Sequence, residues 1–207
     1  SVDYCTFCTN HIACGNSGKF ASTCPADASL VNLTSTDIQN FLDQHNTRRN
    51  IITSGKKAGF ATASRMASLA WDPELAQLAS LNVKQCAMNH DECRSTATFK
   101  YVGQNLAIHN AVQADVDTPV VTAVLGSTIG NFTQVVSDRA TQIGCAVSTY
   151  TERNGTISLL TCNYAITSMD GEKVYESEPK AIGCLTGVNP LFTGLCSLNE
   201  TIKLPSL

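Results

Sequence analysis

The chain has 207 residues, 43% of them hydrophobic, with 14 basic and 17 acidic side chains giving a net charge of −3. That length suits one domain, or one domain with Cys-rich ends, and is enough to bury a sizeable core. No apolar run approaches the roughly 18 residues of a membrane span, and no dense Lys/Arg block argues for nucleic acid or an anionic membrane surface.

Ten cysteines stand at positions 5, 8, 14, 24, 86, 93, 145, 162, 184 and 196. An even, high count clustered at both ends predicts a secreted, disulfide-stapled protein, because a reducing compartment rarely retains so many. Cys5-x2-Cys8 has the spacing of half a zinc knuckle, but no second such pair follows, so no metal is expected there. Four N-x-S/T sequons, at Asn32, Asn131, Asn154 and Asn199, fit a secretory route. The polar opening Ser1-Val2-Asp3-Tyr4 is read as the start of a mature chain whose signal peptide has been removed.

Residues 1–30 lack periodicity and are rich in Cys, Gly, Ser and Asn; they read as an arm held by cross-links. A helix follows, with Ser35 or Thr36 as N-cap and Asp37 in its first turn. Ile38, Leu42, His45 and Ile52 recur near helical spacing with Phe41 beside them, and Gly55 is the expected stop. His45 reads as a core histidine with a satisfied partner, whereas His11 and His109 have no partner that the sequence names. The pairs Arg48-Arg49 and Lys56-Lys57 read as solvated surface. After a loop over 54–64, Asp72 caps a second helix with Pro73 in its first position. Leu75, Leu78, Ala79 and Cys86 share its inner face.

Thr118-Pro119 repeats that start signal, but Val120–Leu125 is brief and β-branched, leaving helix and strand both open. Ile143–Tyr150 and Thr156–Tyr164 form the best strand pair. A four-residue loop, Glu152 to Gly155, sets Cys145 opposite Cys162; a two-residue Asn154-Gly155 turn sets it opposite Tyr164 instead. A cross-link between the two cysteines selects the first register. From about Ser177, the Gly- and Pro-bearing segment around Cys184 and Cys196 reads as a small stapled tail.

Several stretches resemble the CAP superfamily (SCP/TAPS). His45-Asn46-Thr47-Arg48-Arg49 is similar to its H-N-x-x-R, and Leu69-Ala70-Trp71-Asp72-Pro73-Glu74-Leu75-Ala76 to its L-x-W-D-x-x-L-A. Gly103-Gln104-Asn105-Leu106, Gly130-Asn131-Phe132-Thr133-Gln134-Val135-Val136 and Ile143-Gly144-Cys145-Ala146 match three further motifs in order. The arm, with Tyr4-Cys5, Cys8, His11-Ile12-Ala13-Cys14 and Cys24, resembles insect antigen 5 proteins, as does His90-Asp91-Glu92-Cys93-Arg94. The resemblance implies an α+β fold, a three-layer α-β-α sandwich around a small antiparallel sheet, and early helices followed by a hairpin agree with that class. It divides the chain into an arm (1–30), a CAP domain (31–176) and a stapled tail (177–207). It also implies the pairs Cys5–Cys14, Cys8–Cys93, Cys24–Cys86, Cys145–Cys162 and Cys184–Cys196.

Many CAP domains hold two His and two acids in a cleft suited to a divalent metal. Here His90 matches one His, but Gln104 stands at an acid position and Asn131 at the other His. Asp115 and Asp117 alone fill the interval where the second acid belongs, and that interval lacks the family's W-x-x-E helix. One His with two amides is a poor zinc site, so neither metal nor cofactor is expected. No nucleophile elbow is present, and oxidised cysteines offer no thiolate. The chain therefore reads as a secreted binder of saliva or venom and not as an enzyme. Ile38, Phe41, Leu42, Val120, Val121 and Val124 are the candidate lining of a channel for a small hydrophobic ligand such as a fatty acid, eicosanoid or sterol. The alternative is a host haemostatic or immune protein engaged through exposed loops such as 93–98, which carry no Arg-Gly-Asp; a metal-dependent enzyme is the third and weakest reading.

Overall fold

The structure, a computed structural model, describes residues 2–112, 132–153, 155–168, 171–177, 181 and 183–202. The Val120–Leu125 segment, Asp115, Asp117, Asn131 and Asn154 lie outside the described residues. A 3-10 turn at Tyr4–Thr6 opens the arm, capped by the Asp3 side chain. Then come strand β1 (Ser29–Leu30), helix α1 (Ser35–Thr53), β2 (Ala70–Trp71), α2 (Pro73–Val83) and β3 (Gly103–Val112). A single helical turn, α3 (Phe132–Val135), precedes the hairpin β4 (Gln142–Glu152) and β5 (Gly155–Tyr164).

The strands form one sheet in the order β1-β4-β5-β3. Its pairs are antiparallel except that β2 joins β4 in parallel. Cys145 faces Cys162 and Thr151 faces Thr156, the register of the longer-loop reading. Pairing runs one step further, to Glu152 and Gly155, so the loop is tighter than the four residues expected, with Arg153 at positive φ (55°). β3 was not anticipated as a strand; its ten residues pair with β5 along their whole length.

Side chains alternate across β4 and assign each helix a face. Ile143, Cys145 and Val147 join Phe41 of α1, Leu69, Leu160, Cys162 and Tyr164 in one core cluster. Ala146 and Tyr150 point the other way, with Ile157 and Leu159, onto Ala79 and Val83 of α2. Helix, sheet and helix thus make three layers. Gly144 sits where α2 crosses β4: a Cβ there would overlap the backbone of Asp72, Leu75 and Ala76, so only glycine permits this approach.

The helix ends show which local signals hold. Asp72 accepts from Leu75 N (2.8 Å) with Pro73 inside the first turn, as read from sequence. The cap of α1 is Thr34, one residue before the expected Ser35. Thr34 Oγ1 accepts from Asp37 N and Asp37 accepts in return from Thr34 N, a capping box that neither Ser35 nor Thr36 can complete with Asp37. α1 stops at Ser54, and Gly55 follows at φ +68°. Cys86 lies beyond the end of α2 and not on its inner face: the helix closes at Val83 and Cys86 takes positive φ (52°) to reach Cys24.

The structure pairs Cys5 with Cys14, Cys8 with Cys93, Cys24 with Cys86, Cys145 with Cys162 and Cys184 with Cys196, leaving no free thiol. The chain's last part packs inward: Leu195 is buried with Ile52, Met66 and Val135, and Gly194 N donates to Asn50 Oδ1 of α1 (2.8 Å). Glu200 fastens the same segment, accepting from Arg65 Nε (2.6 Å), Leu185 N and Thr186 N. Burial raises its pKa, but the bonds from Thr186, Leu185 and Arg65 outweigh this and hold it at about 2.

Candidate functional site

One face of α1 organises the interior. His45, Asn46 and Arg49 lie within four residues of each other, and all three are buried. Asn46 pairs with Leu69 as a strand would, donating to its carbonyl (3.1 Å) and accepting from its amide (2.8 Å). Arg49, read from sequence as surface, is wholly buried. Its guanidinium makes five bonds to the carbonyls of Ala67, Val135, Ser137 and Ala140, at 2.6 to 3.1 Å. Burial pushes its pKa down to about 9, with Asp138 opposing, so it stays cationic at neutral pH. The Arg-Arg doublet hid this, because only one of two adjacent helical residues shares the His45 face; Arg48 instead bonds back to Gln44 (2.7 Å).

His45 is a core histidine with partners on both nitrogens. Nδ1 donates to Phe41 O (2.7 Å), and Nε2 accepts from the Tyr164 hydroxyl (2.9 Å), which accepts from Asn105 Nδ2 (3.2 Å). Burial lowers its pKa from 6.5 to about 4, and burial likewise raises that of Tyr164. Between those pH values the unfolded chain binds a proton that the folded one does not. This contribution to stability is therefore complete above pH 6.5 and is withdrawn as pH falls toward 4. Lowering the pH from 7.5 to 5 is expected to remove about 2 kcal/mol through His45. Urea unfolding at both pH values checks this: His45→Gln, though less stable, should show a pH dependence smaller by that amount.

Of the family-cleft positions, His90 and Gln104 meet on the α2 side of the sheet, and Asn131 lies outside the described residues. His90 is exposed and its Nδ1 donates to Gln104 Oε1 (2.9 Å). Gln104 is buried, and its amide nitrogen donates to Asp91 Oδ2 (2.7 Å) and Asn163 Oδ1 (3.0 Å). Asp91, which sequence reasoning passed over, is the hub. It accepts from Asn82 Nδ2 (2.6 Å), Gln104 and Arg94 Nε (3.3 Å), while Asn82 accepts from Thr161 (2.6 Å) and Arg94 also holds the Asp91 carbonyl. His90 brings one imidazole, and the amide that replaces an acid at position 104 is committed to a structural network. These residues do not fit a divalent metal. Cys8, His11 and Cys93 also lie together, but the two sulfurs are joined. His11 is engaged as well, through Ser95 O (2.8 Å) and Ala13 N (3.0 Å).

An apolar cleft of about 180 Å³ runs between α1 and the Cys184–Cys196 loop. Leu42, Leu69, Trp71, Leu191, Phe192 and Leu198 line it, and Gln39, Asp43, Asn46 and Asn189 supply polar groups. Among the channel residues expected from sequence, Leu42 lines this cleft and Ile38 is half-buried nearby on the helix. Phe41 lies wholly beneath it in the core, its ring 6.2 Å from that of Trp71; Val120, Val121 and Val124 lie outside the described residues. The contributions of Trp71, Leu191, Phe192 and Leu198 were missed. Their one sequence signal was the Leu191-Phe192 doublet, apolar inside a polar, Pro- and Gly-bearing segment. Leu191 is 82% and Leu198 62% exposed, so the cleft opens onto apolar surface that water covers. A second cleft, of about 500 Å³, is charged, but Arg65, Arg139 and Lys173 face Asp138, Glu172 and Glu176 and carry no surplus of either sign.

Residues 42–164 match the model of the cysteine-rich secretory protein family, CAP. The chain is 36% identical to venom allergen-1 of Aedes aegypti, over 95% of this chain and 86% of the relative. That alignment spans 223 positions, more than the 207 of this chain, so the relative carries residues that this chain lacks. The antigen 5 like allergen Cul n 1 of Culicoides nubeculosus is 40% identical over 66% of this chain and 73% of its own. Among solved structures, BmVAL-1 superposes with a TM-score of 0.64 at 20% identity, covering 84% of this chain and 98% of that one; at that identity the likeness speaks for the fold.

Proposed function

Because the chain belongs to the cysteine-rich secretory protein (CAP) family and is antigen 5-like, we propose that it is a secreted binding protein that takes up a small hydrophobic ligand beside α1. The cleft of about 180 Å³ lined by Leu42, Leu69, Trp71 and Phe192 is the observation that carries this reading. It falls below the roughly 300 Å³ at which drug-sized sites begin. The fitting ligand therefore inserts one end and lays the rest over Leu191 and Leu198, gaining from apolar surface that is otherwise wet. Gln39, Asp43 and Asn189 at the rim suit a polar terminus that points outward. A fatty acid, an eicosanoid or a sterol side chain has this shape. Ten oxidised cysteines and a committed Gln104 favour binding over catalysis. The exposed sequons Asn32 and Asn199 are where we expect glycans.

Trp71 is the sole tryptophan, so its emission reports on the cleft. Titration with decanoate is expected to saturate and shift that emission. Leu191→Asp, at an exposed position that leaves the fold intact, should weaken binding about tenfold by placing a charge on the apolar path. A Trp71 signal that never saturates, or one indifferent to Leu191→Asp, overturns the proposal.

Leu185 and Val188, 75% and 47% exposed on the same stapled loop, favour a second reading, in which the loop docks on a host protein. Capture of a plasma protein that is lost in Leu185→Asp/Val188→Asp, with decanoate binding retained, would support it. Capture unaffected by that pair would exclude this surface.

A further inference from the structure

The arm and the loop after α2 enclose a cleft of about 500 Å³ that the reading above does not use. Phe7 and Cys8 line it from the arm, and Ser95, Thr96, Lys100 and Tyr101 from the loop. Both walls are fixed. Cys8 is bonded to Cys93, His11 Nε2 donates to Ser95 O (2.8 Å) and Ile12 N to Cys93 O (2.9 Å). In the loop, Ser95 Oγ donates to Lys100 O (2.7 Å), Thr96 Oγ1 accepts from Phe99 N (2.8 Å), and Phe99 is buried. A site so held needs little ordering when it is filled.

Its chemistry is one-sided. Phe7 and Tyr101 offer aromatic surface, Tyr101 being 39% exposed. Lys100 is the one charged side chain in the lining, and it makes no ion pair among the described residues. Among the described residues no carboxylate lines the cleft to neutralise it or to attract a cation. We propose that this cleft is a second binding site, separate from the one beside α1, for a small organic anion with a flat apolar body. The body packs on Phe7 and Tyr101, and a carboxylate or sulfonate meets the Lys100 ammonium.

Anilinonaphthalene sulfonate, an aryl sulfonate whose emission rises on leaving water, is the probe. The intact oxidised protein is expected to bind it saturably, with amide shifts concentrated at residues 95–101 in nuclear magnetic resonance spectra. Tyr101→Ala should raise Kd about tenfold. Lys100→Ala should raise it about fivefold and abolish its salt dependence. Both side chains are exposed, so the fold is expected to persist. Leu191→Asp, in the other cleft, should leave Kd within about twofold. Binding that does not saturate, that ignores both Tyr101→Ala and Lys100→Ala, or that is lost with Leu191→Asp overturns the assignment. The last of these outcomes moves the probe to the cleft beside α1 and leaves the reading made there standing.

Discussion

Arg49→Met is expected to remove about 4 kcal/mol or more of folding stability. The guanidinium spends five N–H bonds on the carbonyls of Ala67, Val135, Ser137 and Ala140, which come from two separate stretches of chain. Methionine fills similar space and avoids burying a charge, yet it leaves these carbonyls without that partner in a dry interior. Each loss of this kind is worth about 1–3 kcal/mol. Arg49→Lys separates charge from geometry: lysine keeps the cation but cannot span a planar fork, and a loss of about 3 kcal/mol is expected. Urea unfolding of the oxidised protein, followed at Trp71, reads both. A lysine variant within about 1 kcal/mol of the parent would mean that charge alone, and not the fork, holds these segments.

Gln104→Glu is the second large effect. It restores the carboxylate that the family resemblance leads one to expect at this position, and it should cost about 3 kcal/mol at pH 7. The Gln104 amide nitrogen donates to Asp91 and Asn163 at 2.7 and 3.0 Å. A carboxylate there sets acceptor against acceptor and one negative charge on another. The new carboxyl would titrate well above its ordinary range in the folded state, because folding opposes its ionised form. Its penalty is therefore present at neutral pH and eases as pH falls below that raised pKa, when the group can donate again. Comparing variant and parent at pH 7 and pH 4.5 cancels the loss both share through His45. Zinc affinity should not rise with the substitution; a tight stoichiometric zinc site in the variant would contradict the structural role given to Gln104.

What the sequence revealed follows the range of the forces involved. The start of α2 was legible because Asp72 and Pro73 act within one turn. The Cys145–Cys162 register was legible because strand pairing is a counting problem once the hairpin is recognised. The cap at Thr34 was equally local, since Thr34 and Asp37 stand three apart, and it was missed by weighing single-residue preference above the reciprocal pair. Arg49 and Asp91 were not legible by these means. Their burial depends on partners such as Ser137, 88 residues from Arg49, and Gln104, 13 from Asp91. A charged residue looks the same in sequence whether water or backbone carbonyls satisfy it. The cleft beside α1 was half legible: helical periodicity singled out Leu42, but Trp71, Phe192 and Leu198 converge on it only through the docking of the chain's last segment on α1.

The proposed uptake of a small hydrophobic ligand rests on the cleft beside α1, which opens onto the exposed Leu191 and Leu198. Native mass spectrometry of the oxidised protein incubated with a mixture of fatty acids, a sterol and an eicosanoid examines that directly. The expected spectrum shows one lipid retained per chain, and the adduct disappears in Leu191→Asp. A spectrum with only the bare chain, or an adduct that survives the substitution unchanged, contradicts it.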